Sequence, residues 1–187
     1  MARQLLLSAA CVLGFALCAT AAPHDKGEFI QTFFFSETWK RCMASKMAKK
    51  DLPHDYMPST SPKDCHMPVD DLGCPGPNSY AEFKPKPESK AKMIPPNIQQ
   101  LYCDDVICPK GYGCNMGMMS PYCCNSEYQK LLNEATSEKC PNGAKAAGVK
   151  EQYGFYAIFA EKCDDLICDM GFKCQQVNKK FAKCCKA

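Results

Sequence analysis

The sequence predicts a small disulfide-rich fold: two tandem six-cysteine modules of short strands and loops, preceded by an N-terminal helical segment. Three observations carry that prediction. An apolar leader sends the chain to an oxidising compartment, the remaining chain is dense in cysteine, and one cysteine pattern occurs twice. Thiols at this frequency outside the cytosol end as disulfides. With 46% hydrophobic residues, the chain is also too apolar to be a disordered segment.

Residues 1–21, MARQLLLSAACVLGFALCATA, combine a basic residue at Arg3, an apolar run from Leu5 to Leu17 and the small-residue box Ala19-Thr20-Ala21. That order is a secretory signal, cut after Ala21 or Ala22, and it implies a secreted, extracellular protein. A spanning helix needs about 20 apolar residues, and this run is shorter, so stable membrane insertion is not expected. Setting aside the 21 leader residues, with Cys11 and Cys18, leaves 14 cysteines in 166 of the 187 residues. An even number lets every one of them pair. Losing Arg3 takes the formal net charge from +3 to +2, and Arg41 is then the single arginine. Such a balance argues against nucleic acid or anionic lipid as a partner.

Residues 22–50 form an aromatic and basic segment. Phe35, Trp39, Met43 and Met47 recur at helical spacing, and Lys46, Lys49 and Lys50 suit the negative end of a helix dipole. A helix packed on the modules as core is the favoured reading, over a membrane-surface or partner-binding helix. Residues 51–73 read as a Pro-rich linker. Cys42 and Cys65 flank its first part, and a bridge between them would fold it back on the helix. The alternative is an interchain disulfide through Cys42 or Cys65.

The repeat follows. Residues 103–124 read CDDVICPKGYGCNMGMMSPYCC and residues 163–185 read CDDLICDMGFKCQQVNKKFAKCC. Each copy is preceded by a Cys-Pro, Cys74-Pro75 or Cys140-Pro141. Duplication gives module 1 over 74–124, with Cys74, Cys103, Cys108, Cys114, Cys123 and Cys124, and module 2 over 140–187, with Cys140, Cys163, Cys168, Cys174, Cys184 and Cys185. Modules of about 50 residues bury too little apolar surface to rely on a core alone. Disulfides supply the difference, at about 2–4 kcal/mol each. Six cysteines allow 15 connectivities. Pairing within a vicinal couple closes a strained ring and is set aside; the other arrangements stay open. Neighbours in an extended segment point to opposite faces, so Cys123 and Cys124 should staple different parts of the module.

Gly111 and Gly171 sit where the chain turns with positive φ. Tyr112, Phe172, Ile107 and Ile167 are expected to face the cystine cluster. The run Tyr153–Ala160 reads as an aromatic strand without a counterpart in module 1, whose long gap carries Lys84-Pro85-Lys86-Pro87 and Pro95-Pro96 instead. Residues 125–139 are a helical spacer. Ser126 and Gln129 fit a capping box, and Tyr128, Leu131, Leu132 and Ala135 form an apolar stripe.

No chemistry of catalysis is visible. The sequence has no nucleophile elbow, zinc-protease motif or phosphate loop, so an enzyme is not expected and no cofactor is implied. Zinc favours closely spaced Cys and His ligands, whereas His24, His54 and His66 all lie outside the modules. The doubled Asp104-Asp105 and Asp164-Asp165 are too few oxygens for calcium and read as turn or cap residues. No metal site is expected.

The run Cys108-Pro109-Lys110-Gly111-Tyr112-Gly113-Cys114 with Cys123-Cys124, following Cys74-Pro75, resembles the lustrin-type cysteine-rich repeat of shell-matrix and secreted nematode proteins. There it occurs in tandem or beside Kunitz domains. The second copy departs at Asp169, where proline is expected, and at Phe172. The resemblance implies an extracellular, non-catalytic module found in matrix or protease-inhibitor architectures. No Kunitz cysteine pattern is visible. A whey-acidic-protein core is excluded, since its vicinal pair precedes two further cysteines. Two functions follow: a structural or protein-binding factor for an extracellular protein partner, which is favoured, or an inhibitor of an extracellular protease. An inhibitory loop has to be rigid. The lysine-bearing stretch Lys84–Lys92 lies in a long gap between Cys74 and Cys103, which counts against it unless the gap folds locally.

Overall fold

The computed structural model describes residues 27–52, 58–66, 68, 73–87, 92–94, 98–117, 120–152 and 154–187. The leader, most of residues 53–72, positions 88–91 of the Lys84–Lys92 stretch, Pro95-Pro96 and Tyr153 lie outside the described residues. The described part is disulfide-rich and built mostly from short strands, with one α-helix.

The helical segment expected within residues 22–50 is instead a β-hairpin. Strand β1 (Phe29–Ser36) pairs antiparallel with β2 (Arg41–Ala48), Phe33 opposite Ala44 and Phe35 opposite Cys42. The physical reason lies in β1 itself. Its Phe-Ile-Gln-Thr-Phe-Phe-Phe run is rich in aromatic and β-branched side chains that fit a pleated surface better than a helix. The four-residue spacing that suggested a helix spans a turn. Lys40 adopts φ 52°, its N–H donates to the Ser36 carbonyl at 2.7 Å, and the Trp39 N–H donates to Ser36 Oγ at 3.2 Å.

Neighbouring residues of β2 serve two cores. Met43 joins Trp39, Leu131, Leu132, Ala135, Ala157, Phe159 and Phe181, while Ala44 joins Phe33, Cys65, Ala147, Ala160, Leu166, Ala182 and Cys184. Trp39, only 3% exposed, meets Phe181 edge-on at 4.6 Å and Tyr128 at 5.8 Å, and its Nε1 donates to Glu161 Oε1 at 3.0 Å. Gln31 closes the other side: its Nε2 donates to the Asp165 carbonyl at 3.2 Å, and its Oε1 accepts from the Ile167 N–H at 2.6 Å.

Two three-stranded antiparallel sheets repeat one plan. In the first, β9 (Pro121–Asn125) lies between β3 (Tyr80–Ala81) and β8 (Tyr112–Met116); in the second, β14 (Ala182–Lys186) lies between β12 (Phe159–Ala160) and β13 (Phe172–Gln176). Cys114 faces Cys123 in one hairpin, as Cys174 faces Cys184 in the other. The aromatic run after Tyr153 is therefore two strands: β11 (Gly154–Ala157) pairs with β10 (Gly148–Glu151), and β12 joins the sheet. Strand β3 is the counterpart that the first half was expected to lack. That half also holds β4 (Lys84–Pro85) against β7 (Val106–Ile107), and β5 (Lys92–Ile94) against β6 (Ile98–Gln100).

Helix α1 (Ser126–Thr136) buries Leu131, Leu132 and Ala135, as its stripe predicts. Its cap sits one residue earlier than expected: Asn125 Oδ1 accepts from the N–H groups of Glu127 and Tyr128. At the other end Lys183, fully buried, donates to the carbonyls of Glu134 at 2.8 Å, Ser137 at 3.1 Å and Lys139 at 2.7 Å. An ammonium here satisfies carbonyls that a helix terminus leaves unpaired.

Trp39→Ala should cost about 3–5 kcal/mol, read as a lower denaturant midpoint with all disulfides intact. Burial pulls the Lys183 ammonium from its ordinary 10.5 to about 8, with Glu134 opposing. Between those values the unfolded chain holds a proton that the folded chain has released, so stability rises with pH across the window. Denaturant titrations at about pH 8 and about pH 10 should show that rise in the wild type and lose it in Lys183→Met.

Candidate functional site

Strand alternation decides how the cysteines are used. In β9, Cys124 reaches Cys74 while Cys123 reaches Cys108, and Cys103 pairs with Cys114. In β14, Cys185 reaches Cys140, Cys184 reaches Cys168, and Cys163 pairs with Cys174. Both sets follow the same order, first to sixth, second to fourth and third to fifth. Each member of a vicinal pair staples a different part of the chain, as opposite faces require. Cys42 pairs with Cys65 within the chain, 23 residues apart. This replaces the alternative of an interchain bridge through either residue.

The bridges frame two matching turns. The Tyr112 N–H donates to the Pro109 carbonyl and the Phe172 N–H to the Asp169 carbonyl, each at 3.0 Å. Gly111 and Gly171 take φ +86° and +82°, while Lys110 and Met170 keep negative φ. That combination is a type II turn, which requires a left-handed third residue. Each turn starts directly after a bridged cysteine, Cys108 or Cys168, and ends on the first residue of β8 or β13. A Cβ at either glycine would meet nothing within 4 Å, so both turns project into open space. Their corner side chains face solvent: Lys110 is exposed, and Met170 is 93% exposed.

Other expectations shift by a residue. Val106 and Leu166 are the inward side chains beside the cystines, at 4% and 8% exposure, while Ile107 is 51% exposed. Two-residue periodicity along this extended stretch exposes one neighbour when it buries the other. Phe172 packs against the second core as expected. Each Asp pair forms the first turn of a short 3-10 segment, Cys103–Asp105 or Cys163–Asp165, and Asp105 Oδ2 accepts from the Tyr102 N–H at 3.0 Å. These are turn residues, as the sequence suggests. Among the described residues no group of three or more His, Cys, Asp or Glu side chains is placed to hold a metal ion.

Described parts of the gap between Cys74 and Cys103 are tied into strands. Lys84 pairs opposite Ile107, Pro85 opposite Val106, and the Lys86 N–H donates to the Asp105 carbonyl at 2.8 Å. Beside the Cys42–Cys65 bridge lies a cavity of about 510 Å³, walled by Phe155, Tyr156 and Phe159 and rimmed by Arg41, Lys63 and His66. Glu151 sits 3.1 Å from Lys63 and holds that ammonium above its usual range. On the first sheet Tyr80 and Tyr122 lie ring to ring at 5.9 Å, and burial pushes the Tyr122 hydroxyl up. Neither the cavity nor the tyrosine pair was foreseen, since both join segments distant in sequence. The turn tips were within reach. Aligning the copies shows Lys110 and Met170 as unlike residues at one position of a shared frame.

No family model matches this chain, and no solved structure matches it. A BPTI/Kunitz inhibitor domain-containing protein of Caenorhabditis elegans is 32% identical over 82 residues, covering 44% of this chain and 46% of that protein. The chain thus aligns with about half of that relative's length. What stands is a cysteine-rich protein with seven disulfides and a distant relative that carries a Kunitz domain. No helix among the described residues is long and apolar enough to cross a membrane. Seven disulfides suit an extracellular protein.

Peptide mapping of the non-reduced protein should return Cys74–Cys124 and Cys140–Cys185 as the long-range pairs, and Cys42 joined to Cys65 in a monomer. A peptide linking Cys74 to Cys123 would contradict the strand alternation on which these assignments rest.

Proposed function

We propose that this is an exported, non-catalytic protein-binding factor whose partners are extracellular proteases. Within this reading residues 74–124 and 140–187 act as tandem lustrin-like modules, a division supported by their shared bridging order. One observation carries it: two turns project from the molecule, each beginning directly after a bridged cysteine and ending on a strand. A loop held in its bound shape loses little conformational freedom on association, which is what a tight inhibitor needs. The sequence alone favours a general structural or binding factor, because the gap after Cys74 looks too loose to be inhibitory. The projecting turns lie outside that gap, so the objection does not bear on them. The relative named for an inhibitor domain adds weight to the protease as partner.

Titration of trypsin-like and chymotrypsin-like serine proteases with the oxidised protein should remove activity stoichiometrically at nanomolar concentration, and reduction followed by alkylation should abolish the effect. Cleavage of the chain without inhibition would restore the structural or general binding reading.

A further inference from the structure

We infer that the two projecting turns are separate specificity heads. Lys110 serves a protease whose specificity pocket holds a carboxylate, and Met170 serves one whose pocket is apolar. The inference rests on the protease-binding reading above and names the residues that reading leaves open.

The two turns share a backbone and differ in chemistry. Both have the same closing hydrogen bond, the same left-handed glycine and the same bracketing cystines. The position before each glycine nevertheless carries a cation in one copy and a long apolar chain in the other. A frame kept rigid under an exchanged tip presents two different side chains in one geometry. Lysine is a flexible point charge that pairs with a buried carboxylate. Methionine is unbranched and adapts to an apolar slot. Met170 is 93% exposed, so burial in its own fold does not account for an apolar residue at this corner. Acidic and hydrophobic pockets are both used by serine proteases to select the side chain beside the bond they attack.

The backbone on either side fits the same role. A glycine follows each tip residue and leaves space for a partner's backbone to approach closely. The competing lysines, Lys84 and Lys86, are each followed by proline, which removes an N–H and restricts the preceding residue. Their backbone is also engaged already, in the β4–β7 pairing and in the Lys86 bond to Asp105. Among the described residues neither tip takes part in an aromatic contact or an ion pair, so substitutions there report on binding.

The test uses the full oxidised chain against trypsin, whose pocket is acidic, and chymotrypsin, whose pocket is apolar. Lys110→Ala should weaken trypsin inhibition by about 100-fold and leave chymotrypsin inhibition unchanged, and Met170→Ala should do the reverse. Adding Met170→Lys to Lys110→Ala should recover the trypsin inhibition that the single substitution lost. If the wild type inhibits but neither single substitution changes either inhibition constant by more than about threefold, the heads lie elsewhere and the protease-binding reading stands without them. If the wild type inhibits neither enzyme, the reading fails and takes this inference with it.

Discussion

Adjacent residues of a β-strand face opposite ways, and the structure depends on that constraint acting at Cys123-Cys124 and Cys184-Cys185. Each vicinal pair sits in the middle strand of a three-stranded sheet, so one sulfur is aimed at each side. On one side the bond runs back to the cysteine that opens the set, about 50 residues away in the first half and 45 in the second. On the other it pins the residue just before the projecting turn. A single backbone property thus closes the largest loop and fixes the smallest one. Cross-links of this kind restrict the unfolded chain, which is why sheets of two to five residues per strand can persist.

The two halves share this plan but are finished differently. In the first, the Asp105 carbonyl accepts from the Lys86 N–H, and β4 lies along β7. In the second, the equivalent Asp165 carbonyl accepts from Gln31, a side chain of the N-terminal hairpin. The hairpin therefore does for the second half what the gap strand does for the first. It also brings Trp39, Phe33 and Met43, so most of the apolar interior lies between the hairpin, α1 and the second half. The first half relies more on its cystines and on a small set of buried residues, Val106, Pro121 and Ser79 among them.

Rigidity and divergence meet at the turns. Disulfide-rich scaffolds hold loops that their cores could not, and the duplicated frame offers the same loop twice. Methionine at 170 in place of the lysine at 110 leaves the turn geometry unchanged while altering the chemistry of the tip. The Lys183 ammonium shows the opposite use of a lysine: it occupies the position of Tyr122 in the first copy, is drawn inside, and caps the end of α1.

Much of this was legible in the residues. Cysteine density, the doubled Cys-Asp-Asp pattern, the positive-φ glycines and the stripe on α1 are local or periodic signals, and local chemistry is sufficient to read them. The helix expected across Phe35, Trp39, Met43 and Met47 failed because four-residue spacing cannot distinguish one helix face from the two arms of a hairpin whose turn buries a single residue, Trp39. Inwardness at Val106 rather than Ile107 was also hidden, because a cysteine fixes where the chain is tethered and not which neighbour turns inward. The connectivity within each six-cysteine set lay beyond the sequence. Covalent partners are chosen by which sulfurs the folded strands bring within bonding reach, and that is a property of three-dimensional register, to which spacing along the chain is indifferent.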